Sequence, residues 1–182
     1  DYESDTSYDL VVSATDGTAA DTETITISIS DVAIAITSGQ SGSVAENAAN
    51  GVAVLTVATT GDSDDNDFAI TAGNTDADSD GTGPFAINAA TGAITVADTD
   101  DIDYETTTSY TLTVTVSDGT TTKTATDIAI SVTNTEVTVP SGQTASIAED
   151  ASSGTTVMTV SATGDTPSTW IISSGNTGTA FA

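Results

Sequence analysis

Apolar and polar residues alternate with a period of two along most of the chain, which is the pattern of strands that bury one face. Turn-forming pairs such as Asn50-Gly51 and Asp118-Gly119 separate these stretches, and no helical period of useful length is present. The apolar stripes are Val44, Leu55 with Val57, Phe68 with Ile70, Phe85 with Ile87, Ile94 with Val96, Tyr110 to Val116, and Ile128 to Val132. Seven short strands in about a hundred residues predict an all-β fold, an antiparallel Greek-key β-sandwich.

The chain also repeats itself at shifts of 102 and 103 residues. The stretch DYESDTSYDL at 1–10 returns as DYETTTSYTL at 103–112. The stretch at 43–62 returns at 146–165, and both copies end in Thr-Gly-Asp. Self-similarity of this kind is typical of tandem repeats. We therefore predict tandem β-sandwiches rather than one domain.

The two repeat alignments start at different places, so they divide the chain into three parts. We predict the C-terminal half of a repeat at 1–36, a complete repeat at 37–137, and the N-terminal half of a following repeat at 138–182. The chain has no initiator Met and no signal peptide, and we expect it to be a segment of a longer array. No apolar run approaches the ~18 residues of a membrane span, so direct membrane insertion is not expected.

Charge restricts the partners. The 182 residues include 27 Asp or Glu, a single basic residue, Lys123, and no His, for a formal net charge of −26. Nucleic acids and anionic membrane surfaces are recognised through Lys and Arg, which excludes both classes of partner. Cations are the natural partners of this chain, because self-repulsion opposes compaction unless something neutralises it.

The residues that usually carry catalysis are missing. There is no His for acid-base work and no Cys nucleophile, and Lys123 lies in a polar turn stretch. Paired carboxylates could serve a glycosidase, but here the acidic residues recur at repeated positions. We therefore expect no enzymatic activity. The absence of Cys also means that no disulfide framework replaces a core.

Short motifs recur in a fixed order along the complete repeat. They are Ala45-Glu46-Asn47, Thr91-Gly92-Ala93-Ile94, Asp103-Tyr104-Glu105, Ser117-Asp118-Gly119 and a closing strand to Asn134. In this order and spacing they resemble the cadherin repeat in its bacterial form, found in large extracellular adhesins, and the resemblance covers the whole chain. It implies sandwiches of the cadherin/immunoglobulin-like type and calcium held at each junction between successive repeats.

The resemblance also implies ligands for each junction. Calcium takes six to eight oxygen ligands, which converging carboxylates supply. For the junction after the complete repeat, the candidate ligands are Glu46, Asp103, Glu105, Asn134 and, from the following unit, Asp165. For the junction before it, the candidates are Asp1, Glu3, Asp31, Asp62, Asp64 and Asp118.

Two linkers depart from the family pattern. The family's usual run is Asp-x-Asn-Asp-Asn, whereas this chain has Asp31-Val32-Ala33-Ile34 and Asn134-Thr135-Glu136-Val137. Both have lost most of the acidic and amide ligands, so we expect fewer ions per junction. The alternative for the acidic residues is plain solvated charge at strand ends.

A separate calcium candidate is the stretch Asp76 to Gly81. It has the alternating Asp-x-Asp-x-Asp-Gly start of a calcium loop, with Asp76, Asp78 and Asp80 as ligands. It is not an EF-hand, because the twelfth position is Ile87 rather than Glu. The alternative is a solvated acidic insertion, and we expect the nearby acids Asp98, Asp100 and Asp101 to be solvated loop charge.

Together these features predict a calcium-rigidified extender or filament segment of an extracellular microbial surface or adhesion protein. Its expected partners are neighbouring repeats and other copies of itself, and its expected location is the cell surface or a surface filament. One alternative is a self-assembling filament subunit completed by strand complementation, because Phe181-Ala182 matches Phe85-Ala86 and Asp1 matches Asp103. A second alternative is a ligand-binding adhesin module, for which only the insertion at 76–83 qualifies as a unique loop.

Overall fold

The computed structural model describes residues 1–62, 66–176 and 180–181, and of residues 124–127 the backbone alone. Its regular elements are strands, which confirms the predicted all-β class. The strands are β1 (Ser7–Thr15), β2 (Ala20–Ser28), β3 (Ala35–Ile36), β4 (Ser41–Ala45), β5 (Ala53–Thr56), β6 (Thr59–Thr60), β7 (Asp67–Ala72), β8 (Phe85–Ile87), β9 (Ala93–Val96), β10 (Ser109–Ser117) and β11 (Thr122–Thr133). Over the described ranges, no helix has the length and hydrophobicity needed to span a membrane.

The chain forms two compact units, Asp1–Thr133 and Asn134–Ala182. The first unit contains all eleven strands. One sheet has the order β4-β11-β10-β7, the other has the order β5-β9-β8, and β3 pairs with β6. All pairs are antiparallel except β4, which runs parallel to β11.

Strand β10 shows why the alternating pattern folds as it does. Tyr110, Leu112, Val114 and Val116 all point into the core, and the threonines between them do not. A side chain of this size contributes about 1.5–3 kcal/mol when fully buried, so the four form a large part of the core's stability. The Phe85 ring of the facing sheet meets the Tyr110 ring edge to face, with centroids 5.1 Å apart.

Glycine is required where β7 ends. Gly73 has φ of 81°, which side chains with a Cβ rarely adopt. A Cβ at this position would also collide with the backbone carbonyl of Thr111 on β10. The close approach of these two strands therefore depends on the missing side chain.

The hairpin β1–β2 repeats the hairpin β10–β11 but leaves its apolar face uncovered. Its residues Tyr8, Leu10, Val12, Ile25 and Ile27 are each 48% exposed. They share one face, because Tyr8 lies opposite Ile27, and Leu10 lies opposite Ile25. The sequence counterpart of Leu10 is Leu112, which is fully buried. Among the described residues, the sheet β5-β9-β8 faces the hairpin β10–β11, whereas no sheet faces the hairpin β1–β2.

The second unit reproduces local contacts of the first at a shift of 103 residues. The Gln40 amide bonds to the backbone of Thr37 and Ala58, and Gln143 bonds in the same way to Pro140 and Ser161. The bridge between Thr138 and Thr163 corresponds to the pair Ala35 and Thr60. These repeated contacts show that the sequence repeat is also a repeat of local structure.

The two hairpins allow a matched stability test. We expect Leu112→Ala to lower the free energy of unfolding by about 2–5 kcal/mol, since it removes a fully buried side chain. Leu10→Ala, the same change at the equivalent exposed position, should cost much less. Urea denaturation at fixed calcium measures both. Equal losses would show that the face of β1–β2 is buried in solution.

Candidate metal sites

Three groups of acidic side chains each bring carboxylate oxygens within 4.8 Å of one another. The first group is Glu3, Asp31 and Asp118. Glu3 lies in the turn before β1, Asp31 follows β2, and Asp118 lies in the turn between β10 and β11. The fold therefore gathers three residues that are far apart in sequence, all of which the sequence predicted as ligands of one junction.

Asp118 is the most tightly held member of this group. It is fully buried, and its Oδ1 accepts hydrogen bonds from the amides of Thr120 at 3.0 Å and Thr121 at 2.6 Å. Its Oδ2 accepts from the Thr121 hydroxyl at 2.6 Å and from the Ile34 amide at 3.1 Å. The Thr121 hydroxyl, followed by these amides, holds the pKa of Asp118 well below its ordinary value. Asp118 is thus ionised, and it also ties the hairpin turn to the linker at Ile34.

Glu3 reaches the same place from the turn before β1. Its Oε1 accepts a hydrogen bond from the Thr120 hydroxyl at 3.4 Å. Its Oε2 is buried and accepts no hydrogen bond from the part of the chain that the structure describes. One carboxylate oxygen of the group is therefore left for another partner.

The other predicted ligands of this junction are placed differently. The Asp1 carboxylate accepts from the Glu3 amide at 3.0 Å and from the Ser4 hydroxyl at 2.6 Å, so it closes a local turn. The backbone amide of Asp62 donates to Val32 in the linker at 3.1 Å. Neither carboxylate belongs to the group within 4.8 Å among the described residues. The predicted ligand Asp64 lies outside the described residues.

The second group is Glu46, Asp103 and Glu105. Glu46 follows β4, is 5% exposed, and accepts a hydrogen bond from the Tyr104 amide at 3.0 Å. The Thr106 hydroxyl donates to Asp103 Oδ2 at 2.6 Å and lowers the pKa of Asp103, with the Glu105 amide adding to the effect. The fold thus brings together three of the ligands predicted for the second junction. Asn134 and Asp165 belong to the second unit, and their role as ligands stays a prediction.

The third group is Asp76, Asp78 and Asp80, in the loop between β7 and β8. Asp76 accepts from the Ser79 amide at 2.6 Å and from the Gly81 amide at 2.8 Å. The hydrogen bond from the Gly81 amide is the main reason why the pKa of Asp76 is lowered. At Asp78 the Asp80 amide lowers the pKa, but desolvation and neighbouring carboxylates outweigh it, and the pKa is raised overall.

One acidic residue contradicts its sequence interpretation. The sequence predicts that Asp101 is solvated loop charge, but its side chain is only 4% exposed. No local signal in the sequence distinguishes it from Asp98 or Asp100, because its contacts come from a loop more than twenty residues away. Its Oδ1 accepts from the amides of Ala77 at 2.8 Å and Asp78 at 3.3 Å.

The chemistry of all three groups favours a hard divalent cation. Each offers carboxylate oxygens, the ligands that calcium prefers. Carboxylates held this close repel one another unless a cation neutralises them, and the chain has one basic residue against 27 acidic ones. The residues present therefore fit calcium.

The family model of the cadherin domain matches residues 40–135. No curated protein gives a significant match. Among solved structures, mouse clustered PcdhgC3 EC1-3 is 23% identical with a TM-score of 0.49, covering 74% of this chain and 45% of that one. Human Protocadherin-24 EC1-2 is 18% identical with a TM-score of 0.47, covering 58% of this chain and 45% of that one.

A third structure, the Protocadherin GammaB4 extracellular domain, is 21% identical with a TM-score of 0.49, covering 90% of this chain and 29% of that one. The chain spans less than half the length of each of these structures.

The hydrogen bonds at Asp118 predict a dependence of stability on pH in calcium-free buffer. Because the folded pKa lies below the ordinary value of 3.8, the ionised carboxylate stabilises the fold above that value, and this contribution is lost as pH falls further. Asp118→Asn should be less stable at neutral pH and should lose less stability on acidification. Urea midpoints from neutral pH down to acid measure the effect, and Asp100→Asn, at an exposed carboxylate, is the control. Parallel pH curves for Asp118→Asn and the wild type would contradict the prediction.

Proposed function

Because this chain belongs to the cadherin domain family, we propose that it is a calcium-rigidified extender segment of an extracellular adhesion protein. Cadherin domains are extracellular adhesion modules that typically bind calcium and have no enzymatic activity. For this chain we propose three further properties: the extender role, the junction calcium sites and a cell-surface location. The supporting observation is the position of the acidic groups relative to the predicted repeat boundaries.

The first group spans one such boundary. Glu3 and Asp31 belong to the predicted half-repeat at 1–36, and Asp118 belongs to the complete repeat at 37–137. A calcium ion bound by these carboxylates would join the two repeats directly. The Ile34 amide that donates to Asp118 lies in the linker itself, so the same ion would also restrict the linker.

The second group lies at the other end of the complete repeat. Asp103 and Glu105 precede β10, whereas Asp118 follows it. The Glu46 amide donates to Thr133 at 3.2 Å, at the end of β11 where the chain leaves the repeat. A strand rises about 3.3 Å per residue, so β10 separates the two groups by roughly 30 Å. Calcium in both groups would hold the complete repeat at both of its ends.

The mechanism that follows is mechanical. An ion at a junction restricts the relative rotation of neighbouring repeats. A flexible array of repeats thereby becomes stiffer. Binding to the native state alone also stabilises it by mass action. The linkers supply few ligands, so we propose fewer ions per junction than in cadherins with a full Asp-x-Asn-Asp-Asn run.

Thermal unfolding in millimolar calcium and in excess chelator tests this proposal. At a calcium concentration about a hundred times the dissociation constant, one native site adds about 2.7 kcal/mol, so the melting temperature should rise clearly. Magnesium should give a smaller rise, because it prefers to keep its own water ligands. No rise with calcium would mean that the acidic groups are solvated charge, and the proposal would fail.

The double variant Glu46→Gln with Glu105→Gln assigns the effect to the second group. It keeps the size of both side chains while removing two negative charges, so part of the calcium-induced rise should disappear. The matched control is Glu23→Gln, an exposed glutamate of β2 outside all three groups. A calcium response that is the same in the double variant and in Glu23→Gln would remove these residues from the site.

The uncovered face of β1–β2 favours a second candidate function, a filament subunit completed by another copy. In the complete repeat, the equivalent hairpin β10–β11 shares its core with residues from the first half of that repeat, including Phe68 and Phe85. The counterpart of that first half within this chain is 138–182, where Trp170 is itself 50% exposed. The occupant that we propose for this face is therefore residues 138–182 of a second copy.

Sedimentation equilibrium tests this second candidate. The wild-type chain should associate with a dependence on concentration, and Leu10→Glu should weaken association because it places a charge on the apolar face. Val11→Glu is the matched control, since Val11 lies on the opposite face of the same strand and is 72% exposed. A folded wild-type chain that stays monomeric would contradict this candidate and leave the extender proposal unaffected.

A further inference from the structure

The loop between β7 and β8 is an insertion with a closed base. The Asn74 side chain holds Phe85 through two hydrogen bonds, from its Nδ2 to the Phe85 carbonyl at 2.8 Å and from the Phe85 amide to its Oδ1 at 2.9 Å. In the second unit Asn176 holds Phe181 in the same way, although the two residues are only five positions apart in sequence instead of eleven. The acidic loop is thus an addition to a contact that forms without it.

A buried carboxylate lies against this loop from another part of the chain. Asp101, between β9 and β10, is 4% exposed, and its Oδ1 accepts hydrogen bonds from the amides of Ala77 and Asp78. Its Oδ2 is also buried, but it accepts no hydrogen bond from any described residue. Leaving a carboxylate oxygen buried without a partner is costly, so this atom is suited to a cation.

The surroundings of Asp101 are rigid and negatively charged. The Tyr110 hydroxyl donates to the Asp101 carbonyl at 2.6 Å, and the next residue, Ile102, is 2% exposed in the core. The carboxylates of Asp80, Asp101 and Asp98 are among the charges that act on Asp78. The position of the Asp101 carboxylate is therefore fixed, and the charges around it repel one another.

We propose that Asp76, Asp78, Asp80 and Asp101 form a calcium site that fastens the inserted loop to the connection between β9 and β10. Two independent features support it. Three loop carboxylates have oxygens within 4.8 Å of one another, and Asp101, which accepts hydrogen bonds from the amides of the same loop, has a second, buried oxygen that accepts none from the described residues. A set of carboxylates on a loop suits calcium better than magnesium, which demands a near-ideal octahedron. The site lies within one repeat, so it does not depend on the junction sites.

The ion would shape a surface of the sandwich rather than a junction. The loop contains Ser79, the single described residue other than glycine with a positive φ, at 68°. A cation held by the side chains on either side of Ser79 would fix this conformation. The loop is then an ordered, calcium-dependent feature of the complete repeat, and the short sequence between Asn176 and Phe181 has no counterpart to its acidic residues.

Calcium titration of the full chain by isothermal calorimetry tests the site. Asp101→Asn keeps the size of the side chain and one oxygen that can accept hydrogen bonds from the amides of Ala77 and Asp78. It removes the negative charge and replaces the second oxygen with an NH2 group, which cannot bind a cation. We expect one calcium equivalent to weaken by about tenfold or more. Asp100→Asn removes the same charge from the exposed neighbouring residue and should leave all equivalents unchanged. Identical calcium affinity and stoichiometry in the wild type and Asp101→Asn would overturn the proposal.

Two further measurements keep the test decisive. Asp80→Asn changes an exposed loop residue, which the core does not need, and it should weaken the same equivalent as Asp101→Asn. In amide NMR spectra of the wild type, calcium should shift the resonances of residues 77–82, and no shift there would also overturn the site. The double variant Glu46→Gln with Glu105→Gln should keep these shifts. Loss of the junction equivalents alone would therefore count against the extender proposal and leave the loop site standing.

Discussion

The confinement of carboxylates with almost no opposing charge is the constraint on which the rest of this structure depends. Three groups of acidic side chains hold oxygens within 4.8 Å of one another, while Lys123 is the chain's single basic side chain. Backbone amides and threonine hydroxyls stabilise individual members of these groups, as at Asp118 and Asp103. These donors keep the carboxylates ionised but do not remove the repulsion between them. This repulsion is the physical reason why we propose divalent cations at these positions.

Hydrophobic packing decides where these positions are. The strands β10 and β11 carry the largest share of the buried side chains, among them Leu112, Ile128 and Ile130. The turn that joins the strands carries Asp118, and the segment that precedes β10 carries Asp103 and Glu105. One hairpin thus fills the core and also sets the acidic groups at opposite ends of the repeat. A substitution that shifted this hairpin would change both the core and the spacing of the candidate ions.

Much of this could be predicted from the sequence because it depends on local patterns. Alternation with a period of two located the seven core strands, and β4, β5, β7, β8, β9, β10 and β11 occur where it predicted them. The Asp-x-Asp-x-Asp-Gly spacing identified the loop carboxylates that come together. Motifs such as Asp103-Tyr104-Glu105 placed acidic residues beside strand ends, where the structure gathers them. The short pair β3 and β6 was not predicted, since two-residue strands are too short to show a period.

The sequence by itself thus determined the strand pattern, the repeat and the candidate ligand types, because each is set by neighbours along the chain. Only the tertiary structure decided which acidic residues meet. It left Asp1 in a local turn while bringing Glu3 to Asp118, and it buried Asp101 although Asp98 and Asp100 look equivalent to it in sequence. It also left the face of Leu10 open where that of Leu112 is covered. Burial and the convergence of charges depend on which segments pack together, and residues distant in sequence carry no local sign of that packing.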